Sequence, residues 1–355
     1  MGNIVRGLLL GAVCAVCCAS VLMAASASVS PRLWVERFAQ PLHTDYLSPE
    51  HEVPGGFTSA VLSWNAQTPG GSWLNLQLRA RIGGRWTTWY QMGHWSADFS
   101  NGHRSSVAKQ ADADGRVDTD TLYLHSRADA VQARAQLHAA SEAEPPALTL
   151  IAVTTDAAPG SASSSQAWGA DIDVPQRTQR VMESPDGLGG GGDAWCSPTS
   201  VSMVMGYWAA HLHHPQWDAD VPTSAKGTYD PVYDGCGNWP FNVAYASEHG
   251  LAGWVERLGS LHDIERYIAR GVPVIASIKA AAGEIDGTPY KSSDGHLLVV
   301  RGFTPQGDVI VNDPYGLPGS IRRTYNRSEF AHVWLHGSGG IVYIIGPPGL
   351  LQELR

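Results

Sequence analysis

Asp193-Ala194-Trp195-Cys196-Ser197-Pro198-Thr199-Ser200-Val201-Ser202-Met203-Val204-Met205-Gly206-Tyr207-Trp208 is the stretch on which the fold turns. Val201, Val204, Met205, Trp208 and Leu212 recur at three- and four-residue steps, which predicts a helix with one apolar stripe. Ser197 reads as its N-cap and Pro198 as a first-turn residue, where a missing N–H is no loss. Cys196 then sits at the helix start. Unpaired N–H groups and the helix dipole there favour a thiolate, the reactive form of cysteine. The glycine run Gly189 to Gly192 precedes it, allowing close backbone approach and leaving room for a substrate chain. The alternatives are a small buried apolar cysteine and one half of a disulfide with Cys236.

Further along, the pattern predicts helices over residues 238–250, 260–271 and 328–334. Strands are expected at Trp254 to Arg257, Val272 to Ile278, Leu297 to Phe303, Asp308 to Asn312, Ser320 to Tyr325 and Ile341 to Ile345. Helices first and an antiparallel sheet after make an α+β class. His296 opens one strand and Asp313 closes the next. A hairpin through Thr304 to Gly307 brings these two ends side by side. The carboxylate would then accept the Nδ1–H of His296, leaving Nε2 to take the proton of the Cys196 thiol. Read singly, His296 is a core histidine and Asp313 the start of an Asp-Pro turn. Gln179 is a candidate oxyanion donor beside the backbone N–H of Cys196, an effect worth roughly 3–4 kcal/mol. Gln176 is its rival.

The set Gln179, Trp195-Cys196-Ser197-Pro198-Thr199-Ser200, Gly295-His296-Leu297-Leu298-Val299-Val300-Arg301-Gly302-Phe303 and Val311-Asn312-Asp313-Pro314 resembles the C39-like cysteine peptidases of the papain-like clan. The resemblance spans residues 171–348. It implies a papain-like cysteine peptidase domain of α+β class, with Cys196 as nucleophile, His296 as base, Asp313 as its orienting carboxylate and Gln179 as oxyanion donor. Two features depart from the family. Glu183 to Gly192 separates the glutamine from the cysteine, and the chain has neither the P-loop nor the membrane bundle of the exporter-fused members.

Residues 33–155 read as an all-β sandwich or jelly-roll-like domain. Leu74, Leu76, Leu78, Ala80 and Ile82 alternate with polar residues, and Gly83-Gly84 turns the chain into Arg85 to Met92. Further strands are expected at residues 58–64, 121–125, 131–137 and 148–153. Trp34, Trp64, Trp73, Trp86, Trp89 and Trp95 either fill this domain or form a glycan platform. Asp112, Asp114 and Asp118 have calcium-loop spacing, but Tyr123 stands where the glutamate belongs, so a surface turn is expected. Residues 156–170 are small and polar and read as a flexible linker, with separate cores expected on either side.

Arg6, an apolar run and Ala25-Ser26-Ala27 predict a signal peptide over residues 1–27, and hence a secreted or extracytoplasmic protein; an uncleaved anchor is the alternative. The leader takes Cys14, Cys17 and Cys18 with it, leaving Cys196 and Cys236, which excludes a disulfide-stapled fold. It also takes Arg6, moving the net charge from −9 to −10 with no basic run. That argues against nucleic acid as a partner. No integral membrane domain is expected after cleavage, and no cofactor or metal: His211, His213 and His214 lack a further ligand. The expected activity is hydrolysis of peptide or amide bonds through a thioester acyl-enzyme, with a peptide or protein substrate such as a cell-wall peptide. Two alternatives stand: a cell-wall or glycan-binding protein with a vestigial peptidase domain, and an amidase or transpeptidase on the same triad.

Overall fold

A computed structural model describes residues 2, 26–29, 32–156, 167–181 and 188–354. Most of the expected leader and residues 157–166 of the expected linker lie outside these. The N-terminal half carries β1 (Ser26–Val29), β2 (Leu33–Leu42), β3 (Tyr46–Leu47), β4 (His51–Gln67), β5 (Ser72–Ile82), β6 (Arg85–Trp86), β7 (Tyr90–Trp95), β8 (Gly115–Asp118), β9 (Thr121–Ala139) and β10 (Ala147–Thr155). They form one antiparallel sheet in the order β1-β2-β10-β4-β9-β5-β6, with β3 and β8 added to β9 and β7 to β5.

Where a two-layer sandwich was expected, the ladder is continuous. The reason lies in β4 and β9, which are 17 and 19 residues long: β4 pairs with β10 and β9, and β9 with β3, β4, β5 and β8. Register shifts between Glu52 and Phe57, and between Phe57 and Ser59, let their pairing continue across irregularities. The two strands expected at residues 121–125 and 131–137 are thus one.

The C-terminal half runs α1 (Cys196–His211), α2 (Val221–Thr228), α3 (Trp239–Glu248), β11 (Ala252–Arg257), α4 (Leu261–Ile268), β12 (Val274–Ala280), β13 (Ser293–Phe303), β14 (Val309–Asn312), β15 (Arg322–Tyr325), α5 (Arg327–Ser338), β16 (Ile341–Gly346) and α6 (Pro348–Glu353). Its six-stranded antiparallel sheet has the order β11-β16-β12-β13-β14-β15. The α2 segment is a helix that the apolar pattern does not announce. The side chain of Asp220 accepts from the Thr223 N–H and starts it, with proline in the first turn. Among the described residues, no helix is long and apolar enough to cross a membrane.

Helix α1 departs from its expected form in two ways. Trp195, not Ser197, is the N-cap, and Ser197 instead hydrogen-bonds the Tyr343 hydroxyl at 2.9 Å. The helix is also buried on nearly every face rather than along one stripe, from Ser197 through Gly206. The Ser200 hydroxyl donates to Leu297 O at 3.1 Å, fixing α1 against the strand that carries His296.

The two halves share one apolar core. Trp64, Trp95 and Phe241 meet edge to face across the seam, with ring centroids 5.2–6.2 Å apart. Asn65 on β4 donates to Gly253 O at 2.8 Å and accepts from the Gly253 N–H at 3.0 Å. Glu248 takes the Trp95 indole N–H and the Thr68 hydroxyl. The expected separate cores are joined because the buried face of β4 lies on α3 and β11. Asn65→Ala should cost about 1–3 kcal/mol, since it strips both bonds at a site closed to water. Urea unfolding of the full chain measures it.

The C-terminal end of the expected linker is not loose. Gly169 N–H donates to Phe303 O and Ile172 N–H to Arg301 O, so this segment lies along the end of β13 that extends past its pairing with β12. The other end is anchored too, where Asp156 accepts from Thr58 and Ser59.

Candidate active site

Cys196 is the first residue of α1, is partly buried, and lines the same cleft as His296. His296 is buried on β13 opposite Ile278. The hairpin between β13 and β14 pairs Val299 with Asn312. Extending that register sets Asp313 across from Leu298, one side-chain repeat from His296 and on the same face. His296 Nε2 and Asp313 Oδ1 are 2.8 Å apart.

The expected roles of the two ring nitrogens are therefore exchanged. Nε2 faces the carboxylate, which leaves Nδ1 as the nitrogen free for the thiol. The reason is reach. Asp313 stands diagonally across the hairpin from His296, and the imidazole extends its far nitrogen to meet it. Asp313 is held in turn by the Tyr325 hydroxyl, donating to Oδ2 at 2.7 Å, and the Tyr315 N–H, donating to Oδ1 at 3.0 Å. The Tyr290 ring stands edge-on to His296, with centroids 4.9 Å apart.

The electrostatics follow from this packing. Burial opposes ionisation of Cys196, but the hydrogen bond and charge of His296 outweigh it. The backbone N–H groups of Leu297 and Ser197 add to this, and the thiol pKa is lowered. Burial works against a charged His296 as well. The Asp313 carboxylate and Cys196 prevail, and its pKa rises to about 10. Asp313 resists its own desolvation through His296 and Tyr325, and its pKa is lowered. All three shifts favour a thiolate–imidazolium pair backed by a carboxylate.

Residues 171–340 match the Peptidase C39-like family, and residues 42–156 match the peptidase C39 N-terminal domain. The C-terminal half of the chain belongs to the C39-like peptidase family. A solved structure described as a candidate C39-like peptidase from Bacillus anthracis is 17% identical, covering 50% of this chain and 97% of its own, with a TM-score of 0.33. No curated protein matches the chain.

Within the C39-like domain, Gln179 lines the same cleft as Cys196. Its amide is otherwise engaged, with Nε2 donating to Gly192 O at 3.0 Å and Asp193 O at 2.9 Å. Gln179 thus braces the loop before the nucleophile instead of offering a free donor. That loop closes onto it: a Cβ at Gly192 would lie 2.6 Å from Gln179 O, and one at Gly189 2.7 Å from Gly235 Cα. The glycine run is used for close backbone contact. Gln176 accepts from the Arg322 N–H at 3.3 Å and does not line the cleft. Cys196 and Cys236 are both free thiols. Cys236 donates to Ala225 O, and burial pushes its pKa up to about 12.

Sequence reasoning missed the tyrosines around Asp313, which carry no motif, and the far wall of the C39-like cleft, which comes from the N-terminal half. There Asp120 is buried, with Oδ2 accepting from the Trp239 N–H at 2.8 Å where α3 begins. Burial raises its pKa to about 6 from 3.8. A folded-state pKa above the unfolded one gives stability that is full below pH 3.8 and is lost as pH rises through 6. Asp120→Asn keeps an acceptor for Trp239, so wild type should lose about 2–3 kcal/mol relative to it between pH 4 and pH 7. Denaturant midpoints at the two pH values test this.

Proposed function

We propose that the chain is an exported cysteine peptidase with Cys196 as nucleophile, His296 as acid and base, and Asp313 as the carboxylate that orients the imidazole. The observation that carries it is the His296–Asp313 hydrogen bond, with His296 and Cys196 lining one cleft of about 1030 Å³. The thiolate adds to the substrate carbonyl. The oxyanion is met by the Cys196 N–H at the helix start. The imidazolium Nδ1–H protonates the departing amine, which leaves a thioester. Water then attacks that ester, giving its proton to His296, and the acid is released. Gln179 acts here by holding residues 192–193 in place. Export rests on the apolar N-terminal stretch that begins after Arg6.

The glycan-binding alternative finds less support in the tryptophans. Trp64 and Trp95 are fully buried, and Trp34 stacks on His51 at 3.7 Å. Trp73 lies against His103 and His138, while Trp86 and Trp89 stack on the Arg79 guanidinium. Labelling the native protein with a thiol-directed peptide probe, followed by mass mapping and product analysis, tests the proposal. Modification of Cys196 with release of a free amine and acid supports it. A product in which the acyl group passes to a second amine redirects it to transpeptidation, and an inert Cys196 ends it.

A further inference from the structure

We infer that the N-terminal sheet is part of the substrate site: the turn between β8 and β9 forms a wall of the peptidase cleft and binds an extended polypeptide several residues away from the bond to be cut. This rests on the peptidase reading above. The cleft that contains Cys196 and His296 is also lined by Ser59, Asp118, Thr119, Asp120, Tyr123 and Asp156 of the N-terminal half. On the C39-like side, Lys279 and Ser338 line it too. A volume of about 1030 Å³ is far more than one amide needs, and the thiol serves only part of it.

The wall is held rigidly. The Asp120 carboxylate takes the Trp239 N–H from the start of α3, and the Thr121 hydroxyl donates to its other oxygen. Ser106 N–H donates to the buried Asp230 carboxylate, which also accepts from Val232 and Tyr233 N–H groups and from Asn238. Arg104 donates to the carbonyls of Lys226 and Gly227. The Asp120–Trp239 bond ties the β8–β9 turn itself to the start of α3, and the Ser106 and Arg104 bonds tie down the segment that leads into β8, as a subsite requires. At the tip, Asp118 is exposed and Thr119 is held at φ +52°. A β-branched residue in that region is strained, and such strain persists where the surroundings over-determine it. Contacts so far from the reacting carbonyl act on kcat/KM through remote binding energy. Only a polypeptide long enough to cross the seam gains from them.

The test uses full-length protein and internally quenched peptides lengthened stepwise on either side of the cleaved bond. Wild type should gain in kcat/KM with length on one side. Asp118→Arg should cut the long-to-short ratio about tenfold, equivalent to roughly 1.4 kcal/mol, and Asp118→Asn should cut it less. Iodoacetamide labelling of Cys196 should keep its wild-type rate in both. A ratio unchanged in Asp118→Arg overturns the inference and leaves the peptidase reading standing. So does a wild type that gains nothing with length. A fall in labelling that parallels the fall in ratio overturns it as well, because the turn then acts through the thiol. A wild type that labels with iodoacetamide but cuts no peptide removes the peptidase reading, and this inference with it.

Discussion

Cys196→Ala is expected to abolish peptide hydrolysis, with kcat down by about a millionfold, the scale seen when a covalent nucleophile is removed from a hydrolase. No other described residue in the cleft can replace the sulfur. Cys236 lines the same space, but burial has raised its pKa and its thiol is spent on Ala225 O. The fold should survive the change. Cys196 stands at the start of α1, and the helix is anchored by Ser197, Ser200 and Trp208, whose bonds the substitution leaves alone. Single-turnover kinetics with a chromogenic peptide, alongside thermal melting, gives both quantities. Activity within tenfold of wild type would assign the chemistry elsewhere.

Asp313→Asn should lower kcat/KM by about a hundred- to ten-thousandfold, the range attributed to a positioned acid–base partner. The pH profile carries the finer signature. The alkaline limb of wild-type kcat/KM reports proton loss from His296, whose pKa is raised to about 10 by Asp313 and Cys196 despite burial. Taking away the carboxylate charge favours neutral imidazole, so the limb should move to lower pH, toward the ordinary histidine value. Cys196 loses imidazolium support in turn, and its iodoacetamide labelling should need higher pH. Profiles of kcat/KM and of alkylation, measured side by side, check the two shifts. Unmoved limbs would show that Asp313 serves the fold alone.

Much of the site was legible because its parts sit at element ends. A helix start at Cys196 and a strand end just before Asp313 are local signals, and the strands on either side of Thr304 to Gly307 pair as a hairpin; His296, expected to open its strand, lies three residues inside β13. Which imidazole nitrogen meets Asp313 was not legible, because it depends on a diagonal offset across the ladder that residue types do not encode. Gln179 was found by its position before the nucleophile, while its bonds to Gly192 and Asp193 arise from the path of a glycine-rich loop that periodicity cannot trace. In the N-terminal half, the alternation of Leu74 to Ile82 revealed a strand and its buried face. The continuity of β9 was hidden by the polar, exposed residues His125 to Arg127. The turn at Asp118 to Thr121 looked like ordinary surface, since only the docking of one half on the other puts it in the same cleft as the sulfur.

That docking has a consequence for how the molecule is inherited. Phe241 and the backbone of Gly253 find their complements in Trp64, Trp95 and Asn65, contributed by residues 146 to 188 positions earlier in the chain. A gene fragment encoding the peptidase alone would leave greasy and hydrogen-bonding surface bare to water. Shuffling this enzyme's catalytic module onto new partners therefore demands either the whole pair or a rebuilt seam.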